Sequence, residues 1–204
     1  DFSAKVQKQA QEIAQKLGSH LKGSYRRILG IDFVLDEKKE ELYPIECNPR
    51  LLGSFPVFSM IQEREKEPQI LYFHFLANLF PEIKVEVDKI NQQMAKNKKG
   101  GQIILNNRFE RELIIKKSLQ AGVYNFAKNK LNYLRPGYLM SDLKNKNEFI
   151  LTDGLLSAGV VIKEYRKICR LLTLAKILDS DKIKLNPSTC AILDKIYQRV
   201  EEGK

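Results

Sequence analysis

Residues 30–50 read GIDFVLDEKKEELYPIECNPR, and this stretch decides how the first part of the chain folds. The apolar segments Ile28–Leu35 and Leu42–Asn48 lie on either side of the charged run DEKKEE. Apolar runs of this length around a polar run predict two antiparallel strands joined by a turn. A turn centred in the charged run places Asp32 opposite Glu46 and leaves a loop of about five residues, a common hairpin length.

The predicted register sorts the hairpin side chains onto two faces, because residues directly opposite each other share a face. It also places Val34 opposite Pro44 and Asp36 opposite Leu42. One face is apolar or amphipathic throughout and is predicted to be the buried side; it carries Phe33, Leu35, Tyr43, Ile45 and Cys47. The other face carries Asp32, Val34, Pro44, Glu46, Asn48 and, just past the strand, Arg50.

The polar face has two readings that the spacing leaves open. Carboxylates at Asp32 and Glu46 repel each other across a strand pair, and a cation removes that conflict. Magnesium prefers one or two carboxylates with other hard oxygens, which an amide at Asn48 can supply, and a guanidinium at Arg50 can hold a phosphate beside it. Alternatively, the charged residues form an exposed ion-pair network, Asn48 caps the following turn, and Pro44 marks an edge strand.

Composition bounds the class of protein. With 204 residues, of which 43% are hydrophobic, the chain is long enough for a core in one or two domains. No apolar run approaches the roughly 20 residues of a membrane span, and the start lacks a signal-peptide pattern, so we expect a cytoplasmic protein without a membrane partner. The net charge of +10 comes from dispersed basic residues, which disfavours a nucleic-acid partner.

The three cysteines form no CxxC motif and are predicted to be buried, reduced thiols.

The rest of the chain predicts an α+β fold with two domains, residues 1–95 and 96–204. A helix is predicted over residues 2–21, and two more over residues 57–63 and 68–79. After the polar stretch Asp88–Gly101, short strands predict a compact antiparallel, β-rich subdomain: 102–106, 112–116, 122–126, 138–142, 148–152 and 160–163. Residues 168–178 fit a strand or a helix, and the last helix is capped by Asn186 and extends to Val200.

The stretch GIDFVLDEKKEELYPIECNPRLLGS resembles the ATP-grasp enzymes, which carry an acidic residue with an apolar pair, a hairpin turn and then Glu-x-Asn-x-Arg. The lead-in KGSYRRILGID and the preceding helix are also similar to that family, and together they cover residues 1 to about 60. Arg27 departs from the pattern, since many members have glycine there, but it is not a ligand position. The segments GVYNF, LRPGY and EFILTDG resemble, with less specific motifs, the β-rich subdomain of some ATP-grasp ligases.

The resemblance implies a role for each matching position. Asp32, Glu46 and Asn48 would bind one or two magnesium or manganese ions that bridge the phosphates of ATP. Arg50 would contact those phosphates or the acylphosphate intermediate, and Val34 would pack against the adenine. The implied reaction is phosphorylation of a carboxylate by ATP, followed by attack of an amine or similar nucleophile.

The family's earlier half, with its phosphate-covering loop and ATP-binding lysines, does not match any part of this chain. We therefore expect the C-terminal part of a ligase, which needs that N-terminal half as a partner and does not turn over ATP alone. The alternative is a non-catalytic ATP-grasp-like module with an interaction or regulatory role. Near predicted turns, Arg108, Arg111 and Arg135 are either contacts for an anionic substrate or solvated surface charges.

Overall fold

The computed structural model describes residues 2–95, 98–179 and 184–202. Within these ranges the chain has the predicted α+β architecture, with five α-helices and ten strands whose pairings are all antiparallel. It divides into two compact units: Asp1–Ser59 with Pro68–Gln93, and Met60–Glu67 with Met94–Lys204. None of the helices in the described ranges has the combination of length and apolar character that crossing a membrane requires.

The first unit is built around the predicted hairpin. Its elements in chain order are α1 Ala4–His20, β1 Gly30–Asp36, β2 Glu41–Asn48, α2 Phe55–Arg64, α3 Ile70–Leu79 and α4 Val87–Met94, with α2 continuing into the second unit. The strands β1 and β2 pair only with each other among the described residues. A two-stranded ribbon is marginally stable alone, so its contacts with the helices matter.

Helix α1 is attached to the hairpin by side-chain hydrogen bonds from Lys5, whose Nζ donates to the Lys39 carbonyl oxygen at 2.9 Å, and from Gln9. The Gln9 side chain donates to the Glu40 carbonyl oxygen and accepts from the Leu42 backbone N–H, at 2.8 and 2.9 Å. The helix begins at a cap in which the Ser3 hydroxyl accepts from the Val6 backbone N–H. The backbone at the start of β2 therefore bonds to a helix side chain instead of a third strand.

The second unit contains most of the core. Its strands are β3 Gly101–Asn106, β4 Leu113–Ile115, β5 Gly122–Ala127, β6 Lys130–Arg135, β7 Glu148–Thr152, β8 Val161–Ile162, β9 Lys167–Thr173 and β10 Val200–Glu202. Five strands form one sheet in the order β3-β9-β7-β5-β6, and three form another in the order β10-β4-β8. Helix α5 Pro187–Tyr197 contributes Leu193 and Ile196 to the core, where they meet residues of both sheets such as Leu151 and Ile115.

Two short segments of the second unit differ from the sequence prediction. Residues 138–142 are not a strand: the Asp142 carboxylate accepts from the Tyr138 and Leu139 backbone N–H groups, which removes the donors a strand would use, and residues 140–142 form a 3₁₀ turn. Strand β6 had not been predicted. It follows a two-residue turn in which Lys128 and Asn129 both have positive φ, without the glycine that usually signals such a hairpin.

The ambiguous segment from residue 168 and the end of the last helix are also resolved. Strand β9 lies between β3 and β7, and side chains on both of its faces are buried, Ile168 and Leu172 on one and Cys169 and Leu171 on the other, which explains its largely apolar sequence. The predicted cap of α5 is confirmed, because the Asn186 side chain accepts from the Thr189 backbone N–H at 2.8 Å. The prediction that this helix includes Val200 is wrong, since Val200 begins β10 and pairs with Ile115.

The cysteines only partly match the expectation of buried thiols. All three are free, but Cys47 and Cys190 are exposed, and Cys169 alone is buried. Burial raises the pKa of the Cys169 thiol to about 12, because the thiolate would be desolvated in the core.

Candidate functional site

The candidate site lies on one face of the β1–β2 hairpin, and the register near it is as predicted. Asp32 lies directly opposite Glu46, and Gly30 lies opposite Asn48. Opposed residues share a face, so the two carboxylates and the amide are on the same side of the ribbon.

Asp32 and Asn48 are in direct contact. The Asn48 Nδ2 group donates to Asp32 Oδ2 at 2.9 Å, while the Asn48 side chain is only 7% exposed. Leu52 packs over Gly30, the residue opposite Asn48: a Cβ atom placed at residue 30 would lie 2.2 Å from Leu52 Cδ1. Glycine at this position is therefore what allows the residues after β2 to close over the base of the site.

Glu46 and Arg50 are exposed at the same end of the hairpin, and each side chain lacks a hydrogen bond or ion pair within the described ranges. Arg50 is positioned by its backbone, whose N–H donates to the Asn48 carbonyl oxygen at 2.8 Å. The alternative reading of an ion-pair network among Asp32, Glu46 and Arg50 is therefore not what these residues form. The two carboxylates face each other with no counter-cation from the described part of the chain.

The predicted register fails beyond Glu46 because the ladder contains a bulge. After the Asp32–Glu46 pair, Phe33 pairs with Pro44 and Val34 with Tyr43, so Ile45 has no partner. An extra residue on one strand of an antiparallel pair shifts every later partner by one. The pairings predicted for Val34 with Pro44 and for Asp36 with Leu42 are therefore wrong, and the loop has four residues, 37–40, instead of five.

The predicted burial of one hairpin face is also wrong in part. Phe33 and Leu35 are partly buried, but Tyr43 is 45% exposed, Ile45 is 64% exposed and Cys47 is exposed. The bulge moves Tyr43 to the face that carries Asp32 and Val34, and it leaves Ile45 outside the regular alternation. The alternation of residue types in β2 did not show this, because the bulge contains no glycine that would have signalled it.

Tyr43 is the residue of this face that sequence reasoning did not assign to the site. Its ring lies across the ribbon from Val34, which is 50% exposed. Its hydroxyl donates to Glu41 Oε2 at 2.6 Å. That hydrogen bond raises the pKa of the Tyr43 phenol, because ionisation would place a second negative charge beside the Glu41 carboxylate. An aromatic and an aliphatic side chain thus present an apolar surface next to the carboxylates.

The donor set fits a hard cation such as Mg²⁺. Asp32 and Glu46 supply carboxylate oxygens, and the Asn48 Oδ1 atom makes no hydrogen bond to a described residue, since only its Nδ2 group is engaged. The described residues contain no cluster of three or more His, Cys, Asp or Glu side chains that could hold a metal ion. Mg²⁺, however, often has only one or two carboxylates and few other ligands from the protein, because substrate phosphates and water complete its coordination. Two carboxylates and an amide are therefore sufficient.

The three arginines noted near turns each have a partner in the second unit. Arg135 forms a two-pronged ion pair with Glu148, at 3.0 and 2.7 Å, and also donates to the Asp142 carbonyl oxygen. Arg108 lies over the Tyr197 ring at 4.4 Å, and Arg111 lies over the Phe109 ring at 5.6 Å. Each of the three guanidinium groups therefore already contacts another side chain. An unpaired positive charge, which would indicate an anion site, is not found at any of them.

Comparison with known proteins adds no family. The chain matches no protein-family model, and the search of the curated proteins found no match.

Proposed function

We propose that this chain is the C-terminal part of an ATP-grasp ligase and carries the magnesium-binding side of its active site. The observation that carries the proposal is the contact of Asp32 with Asn48, with Glu46 directly opposite and no cation from the described residues to balance the two carboxylates. A protein face that concentrates like charges is unfavourable unless a ligand compensates it. A divalent cation with a nucleotide is the ligand that these oxygens fit.

In this proposal some residues of the hairpin face bind the metal ion and others bind the nucleotide. Asp32, Glu46 and Asn48 would hold the ion, and Arg50, whose side chain has no described partner, would bind a phosphate. Val34 would contact the adenine. The bound ion would neutralise charge on the ATP phosphates; the contribution of the chain is to orient the reacting groups.

The proposed reaction joins a small-molecule carboxylate to a nucleophile. An oxygen of the carboxylate attacks the γ-phosphorus of ATP, the bond to the β,γ-bridging oxygen breaks, and ADP leaves. The nucleophile, an amine or similar group, then attacks the activated carbonyl carbon, and inorganic phosphate leaves as the nucleophile loses its proton. Arg50 would stabilise the negative charge on the transferred phosphoryl group.

The first test is metal binding by the chain itself. Mn²⁺ replaces Mg²⁺ and is observed by electron paramagnetic resonance, with and without ATP. Glu46→Gln keeps the shape of the side chain and should weaken Mn²⁺ binding about tenfold or more, because it removes one of two anionic ligands. Glu37→Gln is the matched control, since it removes a carboxylate from the exposed turn of the same hairpin. Equal affinity in the two variants would exclude the proposed ligand set.

The second test is catalysis in the presence of the N-terminal half that the resemblance implies. ATP-dependent phosphate release should require a carboxylate acceptor and should be lost in Glu46→Gln but not in Glu37→Gln. Mn²⁺ binding without any phosphate release in the reconstituted protein would instead favour the non-catalytic module.

A further inference from the structure

A cavity of about 610 Å³ lies in the second unit, between the five-stranded sheet and the first turn of α5. Its walls are mostly apolar and include Phe126, Phe149, Leu171, Ile177 and Ile192. This volume is in the range of cavities that hold small organic ligands. All of its lining residues belong to this unit, so it is independent of the hairpin site.

One end of the cavity is polar and carries two hydroxyl groups that can donate hydrogen bonds. Thr189 is only 7% exposed and lines the cavity, and its hydroxyl makes no hydrogen bond to any described residue. Thr173, which is 5% exposed, accepts at Oγ1 from the Ala175 backbone N–H but has no described acceptor for its own proton. Both hydroxyls line the cavity and have a proton to donate, so this end of the cavity suits a ligand that accepts hydrogen bonds.

The charge around this end is positive. Lys146 and Lys176 line the cavity, and neither ammonium group forms an ion pair with a described residue. The acidic lining residue, Glu148, is already bound by Arg135 at 2.7 Å. Thr189 is at the N-terminus of α5, where the helix dipole favours negative charge. The polar end therefore offers hydroxyl donors, two lysines and a helix terminus, and its acidic side chain is neutralised.

We propose that this cavity binds a small amphiphilic anion, with its oxyanion at Thr189 and the two lysines and its apolar body against Phe126, Phe149 and Ile192. An aliphatic or aromatic carboxylate has this chemistry. The anion replaces the missing acceptors, and its hydrocarbon part is removed from water along the apolar walls. This site does not depend on the proposed ligase activity.

The test uses octanoate as the probe, with octanol as the neutral isostere and acetate as the head group alone. Each is titrated into the ¹⁵N-labelled chain, and amide shifts are followed by NMR. Octanoate should shift the amides of residues 188 and 189 and of the cavity walls, and it should bind at least tenfold more tightly than octanol or acetate. Octanol binding as tightly as octanoate would overturn the proposal, as would the absence of shifts at these residues.

Variants locate the head group within the cavity. Thr189→Val removes the hydroxyl at constant shape and should weaken octanoate roughly tenfold, whereas Thr189→Ser should keep the affinity. Lys176→Gln should weaken it severalfold, and Lys163→Gln, an exposed lysine of the same unit outside the cavity lining, should have no effect. Retention of full affinity in both Thr189→Val and Lys176→Gln, with unchanged thermal stability, would also refute the site.

Discussion

Replacing Glu46 by glutamine should stabilise the metal-free chain. Asp32 and Glu46 are direct partners across the hairpin, and the described residues supply no cation to either. Side chains opposed in this way are about 5.5 Å apart, and two unit charges at that separation in water repel by about 0.75 kcal/mol. Removing one charge should therefore increase the free energy of unfolding by up to about that amount.

The assay is thermal unfolding in EDTA at pH 7, followed by circular dichroism. For a chain of this size we expect a midpoint rise of about 1–3 °C for Glu46→Gln. Screening at 0.15 M salt should reduce the gain to about half of its value at 0.01 M. Glu37→Gln should not raise the midpoint, because the chain carries a net charge of +10 and losing an isolated carboxylate is neutral or unfavourable.

Adding Mg²⁺ with ATP should reverse the order of the two proteins. Wild type then gains stability from binding, by an amount set by the ratio of ligand concentration to Kd, and Glu46→Gln does not. A lower midpoint for Glu46→Gln than for Glu37→Gln in EDTA would refute the electrostatic reasoning. An unchanged order in Mg²⁺ and ATP would refute the ligand assignment alone.

Three further predictions concern packing, an ion pair and a thiol. Gly30→Ala should destabilise the chain by about 1–3 kcal/mol in denaturant unfolding, because its Cβ would overlap Leu52; a neutral result would contradict the packing over the site. Arg135 lowers the pKa of Glu148, chiefly through their hydrogen bond, so this pair stabilises the fold above the ordinary glutamate pKa of 4.5 and loses its effect as the pH falls through the lowered value. Arg135→Met should lower the free energy of unfolding at pH 7 and much less at pH 3, and an equal loss at both pH values would exclude the ion pair as the cause. The buried Cys169 thiol should react with Ellman's reagent only on unfolding, while the two exposed cysteines react in the native chain; rapid titration of all three would contradict its burial.

The metal-binding part of the candidate site could be predicted from the sequence. Asp32, Glu46 and Asn48 follow from two apolar strands and a charged turn. The Asp32–Glu46 pairing is as predicted because the bulge offsets a loop that is one residue shorter than predicted. The position of Tyr43 was not predictable in this way. A bulge depends on how the backbone twists against its neighbours, and no residue in the segment Tyr43–Glu46 requires one.

The β-rich part shows a similar division. Strands with continuous apolar residues, such as β7 and β9, were identified or suspected because burial on both faces leaves a strong signal. Strand β6 is at the sheet edge and follows a turn of Lys128 and Asn129; asparagine often adopts positive φ, but lysine seldom does and the turn lacks the usual glycine. The strand prediction for residues 138–142 was wrong because of a single side chain. The Asp142 carboxylate accepts hydrogen bonds from backbone N–H groups that a strand would use for pairing.

The bulge at Ile45 determines the chemistry of the hairpin face more than any single side chain does. With a regular ladder, Val34 would face Pro44, and the carboxylates would be bordered by a proline ring. With the extra residue, Val34 faces Tyr43, whose phenol donates a hydrogen bond to Glu41. A planar aromatic surface beside two carboxylates can contact an unsaturated ring while the oxygens hold a cation, which a proline does less well. Tyr43→Leu should therefore impair nucleotide binding more than Mn²⁺ binding, because it removes the aromatic ring opposite Val34 while the Asp32–Glu46 pair is retained. Deleting Ile45, which has no partner, should keep both the Asp32–Glu46 and the Val34–Tyr43 pairs and serves as the control. Equal loss of nucleotide and Mn²⁺ binding in Tyr43→Leu would contradict the role of the ring.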